Sequence, residues 1–244
     1  MNSAIKIEAL EKQYRGTDNK ALNGLNLEIK AGEIYGLLGP NGAGKTTTLS
    51  ILCGLLKANA GKITYFDDAD FDLKKHIGVV PQDIALFESL SGKENLRYFA
   101  AMYGLDSKVI KPEIQRLLAR FGLAEKADHL LKNYSGGMKR RINLLAAVLH
   151  RPKILFLDEP TVGIDVQSKK VILEFLQELN RAGTTIIYTS HYMEEAEKIC
   201  HRVGIIETGE IIIEGKPSEL LEQHTDCTDL EGIFIKLTGK KLRD

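Results

Sequence analysis

Two kinds of hydrophobic run alternate along this chain. The first is short and continuous: Ile34-Tyr35-Gly36-Leu37-Leu38, Ile154-Leu155-Phe156-Leu157 and Thr185-Ile186-Ile187-Tyr188-Thr189. Unbroken apolarity over four or five residues suits strands of a parallel sheet covered on both faces. The second recurs at helical spacing. It predicts helices over residues 46–56 (Leu49, Leu52, Leu55 and Leu56), 95–103, 111–121, 137–150 and 166–180. In the last of these Val171, Ile172, Phe175, Leu176 and Leu179 share the inward face, and Gly183 follows as a stop. Residues 4–10 and 22–29 alternate as half-buried strands do, and a short polar, β-rich stretch leads to Val79-Val80-Pro81-Gln82. Residues 203–206 and 211–214 read as a hairpin about Thr208-Gly209, and one amphipathic patch, 230–237, precedes a polar end. Strands alternating with helices predict an α/β fold on a mostly parallel sheet, interrupted by an all-helical insert. The expected division is a single domain over 1–244. Residues 1–82 and 151–216 form its core, 83–150 the helical subdomain and 217–244 a C-terminal extension.

Between the first apolar strand and the first helix stands Gly39-Pro40-Asn41-Gly42-Ala43-Gly44-Lys45-Thr46, the G-x-x-x-x-G-K-[ST] pattern of a P-loop in its required strand–loop–helix setting. Its glycines let successive N–H groups curl around a phosphate chain, and the helix N-terminus adds partial positive charge. Lys45 is expected to reach the β- and γ-phosphates and the Thr46 hydroxyl to ligate Mg²⁺. These residues imply binding of a nucleoside triphosphate.

Ligands of an open parallel sheet sit outside the carboxyl ends of its strands. The P-loop ends one apolar strand, Asp158-Glu159 ends the second and Ser190-His191 ends the third. Asp158 is therefore expected at the metal, Glu159 as the general base that polarises the attacking water, and His191 at the γ-phosphate. Taken singly, an Asp-Glu pair is more often a solvated loop and a lone histidine a surface or cap residue.

The helical insert ends in Asn133-Tyr134-Ser135-Gly136-Gly137-Met138-Lys139-Arg140-Arg141. Ser135 suits an N-cap, but a plain cap does not account for two glycines, which cost backbone entropy and pack poorly. An open helix N-terminus behind Ser135-Gly136-Gly137 is a second anion site. Two half-sites on one chain suggest a head-to-tail pair closed by a two-fold axis, with each triphosphate between one P-loop and the partner's Ser-Gly-Gly helix. The Lys139-Arg140-Arg141 run reads as a solvated face.

Composition removes other classes. Lysine and arginine (33) equal aspartate and glutamate (33), so no net field draws the chain to nucleic acid or anionic lipid. Three scattered cysteines, Cys53, Cys200 and Cys227, suit a reducing cytosol and form no zinc pattern. Signal-peptide character is lacking and no apolar run approaches the roughly 20 residues needed to span a bilayer, so membrane work would require a partner.

Together these residues resemble the ATP-binding subunit of ATP-binding-cassette (ABC) transporters, over essentially the whole chain. Residues 39–46 correspond to the Walker A loop, Gln82 to the Q-loop glutamine and Ser135-Gly136-Gly137 to the signature. Ile154 to Glu159 corresponds to Walker B, Val162-Gly163-Ile164-Asp165 to the D-loop and His191 to the switch histidine. The resemblance implies an ABC-type P-loop ATPase with an antiparallel β subdomain. It also implies ATP and Mg²⁺ as ligands, with Tyr14 stacked on adenine and Thr47 and Asp165 among the ATP contacts. Gln82 would touch the metal or water, and Lys45, Gln82, Glu159 and His191 would serve hydrolysis. Implied partners are a second copy of the chain and transmembrane permease subunits, with no nucleic acid. The implied location is peripheral, on the cytoplasmic face of the membrane. Tyr14 taken alone reads equally as a half-buried strand-end residue, and Gln82 as a turn residue after Pro81.

Two departures stand out. Tyr134 and Met138 flank the signature where Leu and Gln are usual, and Met138 cannot donate glutamine's hydrogen bonds. The stretch 60–76 is short for the family's β subdomain. The Tyr-Ser-Gly-Gly-Met-Lys-Arg-Arg form and the tail Leu-Thr-Gly-Lys-Lys-Leu-Arg-Asp resemble the subfamily serving drug, antibiotic, lipid, polysaccharide or sodium exporters. Competing readings are a soluble ABC ATPase of ribosomes or DNA, a regulatory ATP-binding module, or another P-loop enzyme such as a small kinase or GTPase. The chain has a single cassette, no heptad run and no guanine-reading Asn-Lys-x-Asp, since Asn19-Lys20-Ala21-Leu22 lacks the aspartate.

Overall fold

The computed structural model describes residues 2–239. The last five residues of the exporter-like tail, 240–244, lie outside the described residues. Among those described, the strands are β1 (Ser3–Gln13), β2 (Lys20–Lys30), β3 (Ile34–Leu38), β4 (Ala60–Tyr65), β5 (Ile77–Val80), β6 (Ile154–Asp158), β7 (Thr185–Ser190), β8 (Arg202–Glu207) and β9 (Glu210–Gly215). The helices are α1 (Lys45–Leu52), α2 (Leu73–His76), α3 (Gly92–Met102), α4 (Ser107–Arg120), α5 (Gly136–Val148), α6 (Val166–Arg181), α7 (Met193–Ile199), α8 (Pro217–Gln223) and α9 (Leu230–Thr238).

The central sheet has six strands in the order β5-β6-β7-β3-β8-β9. All neighbours from β5 to β8 are parallel, and β9 returns antiparallel to β8 as the expected hairpin. The continuous apolar runs have a direct cause. Ile34, Leu38, Leu155, Leu157, Ile186 and Tyr188 point into one core, shared with the helical insert and α6. Tyr35, Leu37, Ile154, Phe156 and Ile187 point into another, against α1 and the strands β1 and β2. Successive strand residues face opposite ways, so a strand covered on both faces must be apolar at every position.

The β subdomain is present despite the short 60–76 stretch. It is a three-stranded antiparallel sheet, β2-β1-β4, in which only β4 comes from that stretch. Eleven-residue strands from the N-terminus supply the rest.

Several helix ends differ from their predicted positions. Helix α1 stops at Leu52, because Leu55 and Leu56 both donate back to the Ser50 carbonyl (2.9 and 3.1 Å) and close the turn. Leu55, one of the apolar positions of the predicted helix, lies beyond its end and is 76% exposed. Helix α3 begins three residues early at a capping box, where Ser91 Oγ accepts from the Glu94 N–H and the Glu94 carboxylate accepts from the Ser91 N–H. Helix α4 begins four residues early behind Asp106, whose carboxylate takes the Lys108 N–H at 2.7 Å. Two seven-residue helices, α7 and α8, were not predicted; at two turns each they are too short for a clear period.

These positions separate two superficially similar substitutions. Phe156→Ala, at a fully buried site in β6, should cost about 3–5 kcal/mol of stability. Leu55→Ala should change it by less than about 0.5 kcal/mol. Urea-unfolding midpoints of the two variants check the contrast.

Candidate functional site

The loop between β3 and α1 is built by close backbone approach. A Cβ at Gly39 would stand 2.2 Å from the Ile206 carbonyl oxygen. One at Gly44, where φ is +111°, would stand 2.7 Å from the Ala21 carbonyl oxygen. No acidic side chain occupies the first turn of α1, and the first N–H bonded back to the loop is that of Thr48, to the Gly44 carbonyl at 2.8 Å. The N–H groups of Lys45, Thr46 and Thr47 thus open toward the loop, as an anion site requires. Tyr14, just past β1, stands beside this turn with its hydroxyl 3.1 Å from Thr47 Oγ1, and the residue is 44% exposed.

Parallel register brings the strand ends level. Leu38 lies beside Ser190, Asp158 beside Thr189 and Val80 beside Leu157. One cluster results. Lys45 Nζ donates to the carbonyls of Gly39 (2.8 Å) and Pro40 (3.0 Å) and lies 3.4 Å from Glu159 Oε1. His191 Nδ1 is 3.1 Å from the same oxygen, an ion pair once the ring is protonated, and Gln82 Nε2 approaches Glu159 Oε2 at 3.5 Å. Burial pushes the Lys45 ammonium below its usual range, against the opposing pull of Glu159 and Asp158. Glu159 and Asp158 are almost wholly buried. Glu159 also has a left-handed backbone, φ +49°, which turns its side chain out of the strand's alternation and into the cluster.

The signature elements gather at a second place. Ser135 caps α5, its Oγ taking the Met138 N–H at 3.3 Å. Gly137 packs on the start of α6, where a Cβ would come within 3.1 Å of Ser168 Oγ and 3.3 Å of Asp165 Oδ2. Asp165 is itself the N-cap of α6, with both oxygens engaged by Ser168 (2.9 and 2.7 Å). Among the described residues, no hydrogen bond or ion pair joins Ser135, Gly136 or Gly137 to the P-loop.

The unusual signature residues have structural work. Tyr134 is buried, donates to the Lys126 carbonyl at 2.6 Å and lies against Gly92, where a Cβ would meet its hydroxyl at 2.5 Å. Met138 packs against the core. The basic run after it is not the solvated face expected. Lys139 pairs with Glu88, Arg140 donates to the carbonyls of Pro81 and Gln82, and Arg141 donates to those of Gly137 and Phe121. Arg140 therefore ties the signature helix to the Gln82 loop.

Thr189 escaped the sequence reading. Its hydroxyl donates to Asp158 Oδ1 at 2.7 Å and accepts the Glu159 N–H at 3.1 Å, and its carbonyl accepts the same N–H at 3.2 Å. Only the β6–β7 register identifies it, since 31 residues separate it from Asp158.

Comparison with known proteins agrees with this geometry. Residues 22–162 match the family described as ABC transporter. The chain is 45% identical over 239 residues to the linearmycin resistance ATP-binding protein LnrL of Bacillus subtilis (strain 168), covering 96% of this chain and 74% of that protein. It is 41% identical over 231 residues to the Nod factor export ATP-binding protein I of Burkholderia orbicola (strain AU 1054), covering 93% and 75%. Among solved structures, an ATP-binding subunit of an ABC transporter superposes with a TM-score of 0.85 at 26% identity, over 96% of this chain and 99% of the other. The dimeric post-hydrolysis state of the ATP-binding cassette MJ0796, bound to ADP and Pi, gives 0.78 at 28% identity over 87% and 98%. A P-loop, a buried Asp-Glu strand end and a separate Ser-Gly-Gly helix, joined to matches of this extent, place the chain in the ABC transporter family as an ATP-binding ATPase.

Proposed function

We propose that the chain powers a membrane exporter by ATP-driven head-to-tail pairing with a second copy of itself, docked on permease subunits at the cytoplasmic face. The observation that carries the pairing is the separation of two anion-binding elements. Lys45, Gln82, Glu159 and His191 converge at one strand edge, while Ser135-Gly136-Gly137 opens a helix packed closely on the start of α6 and hydrogen-bonded through Arg140 to the Gln82 loop. One triphosphate between the P-loop of one copy and the signature helix of the other satisfies both. The exporter assignment draws on the relatives named for resistance and export. No helix among the described residues is long and apolar enough to cross a membrane. Gln82 and the half-exposed Phe87 would carry the pairing motion to the permease subunits through the helical insert.

In this reading the α1 N-terminus and Lys45 hold the phosphates, Tyr14 and Thr47 flank the base, and Glu159 takes a proton from the attacking water. His191 contacts the γ-phosphate, and Asp165 lies at the seam between copies. The oxygen donors Thr46 Oγ1, Asp158 and the Gln82 amide suit Mg²⁺, a hard cation that prefers few protein ligands beside substrate phosphates. The fit is supported by the Thr46 hydroxyl, which has no protein partner among the described residues, and by Asp158, aimed by Thr189. When bound, the ion neutralises charge on the β- and γ-phosphates.

Glu159→Gln should lower ATP turnover by roughly 10²–10⁴, the range for losing a general base, while binding of a fluorescent ATP analogue persists. Unchanged turnover would remove Glu159 from that role. Lys45→Ala should instead weaken analogue binding by about 10–100-fold, the equivalent of losing charge-assisted contacts to phosphate. Because each site needs two chains, ATPase activity per molecule should fall on dilution. Specific activity that stays constant to the lowest measurable concentration would contradict the paired site.

A further inference from the structure

A polar cluster behind the strand edge has no part in the roles given above. Its centre is Glu195 of α7, whose side chain is 12% exposed. Oε2 accepts from Thr161 Oγ1 (2.5 Å) and the Tyr188 hydroxyl (2.7 Å), while Oε1 pairs with Lys169 Nζ of α6 (2.7 Å). Thr161 and Tyr188 are fully buried, with their hydroxyls 3.1 Å apart. Thr161 lies two residues after Glu159, and Tyr188 three before His191. The Lys169 ammonium also sits 4.8 Å from the centre of the Tyr192 ring, which lies 4.0 Å from the His191 ring. A single carboxylate therefore meets the loop that carries Glu159, the strand that leads to His191, and the helix that starts at Asp165.

The Glu159 loop needs such an anchor. A left-handed backbone is strained on a residue with a β-carbon and persists only where the surroundings over-determine it. Thr189 holds the Glu159 N–H on one side. On the other side Thr161, locked to Glu195 and Tyr188, fixes where the chain goes next. Burial opposes ionisation of Glu195, but the donors Lys169, Thr161 and Tyr188 outweigh it and keep the carboxyl below its usual range.

We propose that Glu195, with Lys169, is a positioning residue for ATP hydrolysis, clamping the Glu159 and His191 loops together so that both meet the γ-phosphate in one geometry. The proposal rests on the roles given to Glu159 and His191 above.

The test compares Glu195→Gln, Glu195→Ala and Lys169→Met with Glu159→Gln in the full chain. It reads kcat, KM for ATP, fluorescent-analogue affinity and thermal midpoint on the same samples. Glutamine keeps an acceptor for Thr161 and Tyr188 and loses the ion pair with Lys169; alanine loses both. Misplacing a reacting group by about 1 Å can cost about 100-fold in rate. The expected fall in kcat is therefore about 3–10-fold for Glu195→Gln and about 30–100-fold for Glu195→Ala, with KM and affinity within about twofold of the parent chain. Lys169→Met should match Glu195→Gln, and combining them should add little, as for two halves of one contact. A kcat within about twofold of the parent in these variants overturns the clamp. So does a kcat that falls only in step with affinity and folded fraction, which is how a purely structural role behaves. If Glu195→Ala does not fold, Glu195→Gln and Lys169→Met decide. Full turnover in Glu159→Gln would sink the underlying reading, whereas loss there beside intact Glu195 variants overturns the clamp alone.

Discussion

Strands β3, β6 and β7 are covered on both faces, and that burial holds the functional end of the molecule together. A one-residue slip of β6 against β7 would turn Phe156 and Leu157 to the wrong cores and carry Asp158 away from Thr189. Register is therefore fixed by packing deep in the sheet, several residues from any chemistry. The same register sets the carboxyl ends of β3, β5, β6 and β7 level and delivers Lys45, Gln82, Asp158, Glu159 and His191 to one edge. Rigidity of the core and precision of the site have one cause.

Within the site a buried ammonium and a buried carboxylate face each other at 3.4 Å. Each would be costly alone, and each has further polar neighbours: the Gly39 and Pro40 carbonyls for Lys45, Gln82 Nε2 and His191 Nδ1 for the Glu159 carboxylate. A phosphate chain entering the loop offers Lys45 a stronger acceptor than a carbonyl. In the proposed function, binding would then loosen the hold of Lys45 on Glu159 and free the carboxylate for a water molecule.

The helical insert joins this edge through α5. Arg140 reaches the Pro81 and Gln82 carbonyls, and Gly137 lies against the start of α6 at Asp165. The insert thus touches both the Gln82 loop and the start of α6 directly. The same contacts show why a net charge of zero said little about the basic run. Its three cations are held by a carboxylate and by backbone carbonyls, and such partners are invisible in a count of charges.

Local sequence was enough for what local physics decides. The P-loop, the two-sided strands, the β8–β9 hairpin and the Ser-Gly-Gly cap each rest on residues close together in the chain, where steric and hydrogen-bonding rules act directly. Sequence also contained the capping signals Ser91 with Glu94 and Asp106, although apolar period alone placed α3 and α4 too late. Strand order, which brings Thr189 beside Asp158, and the buried meeting of Thr161, Tyr188, Lys169 and Glu195 came only from tertiary structure. Those partners lie up to 34 residues apart, and no short-range pattern encodes a contact that depends on which strand packs beside which.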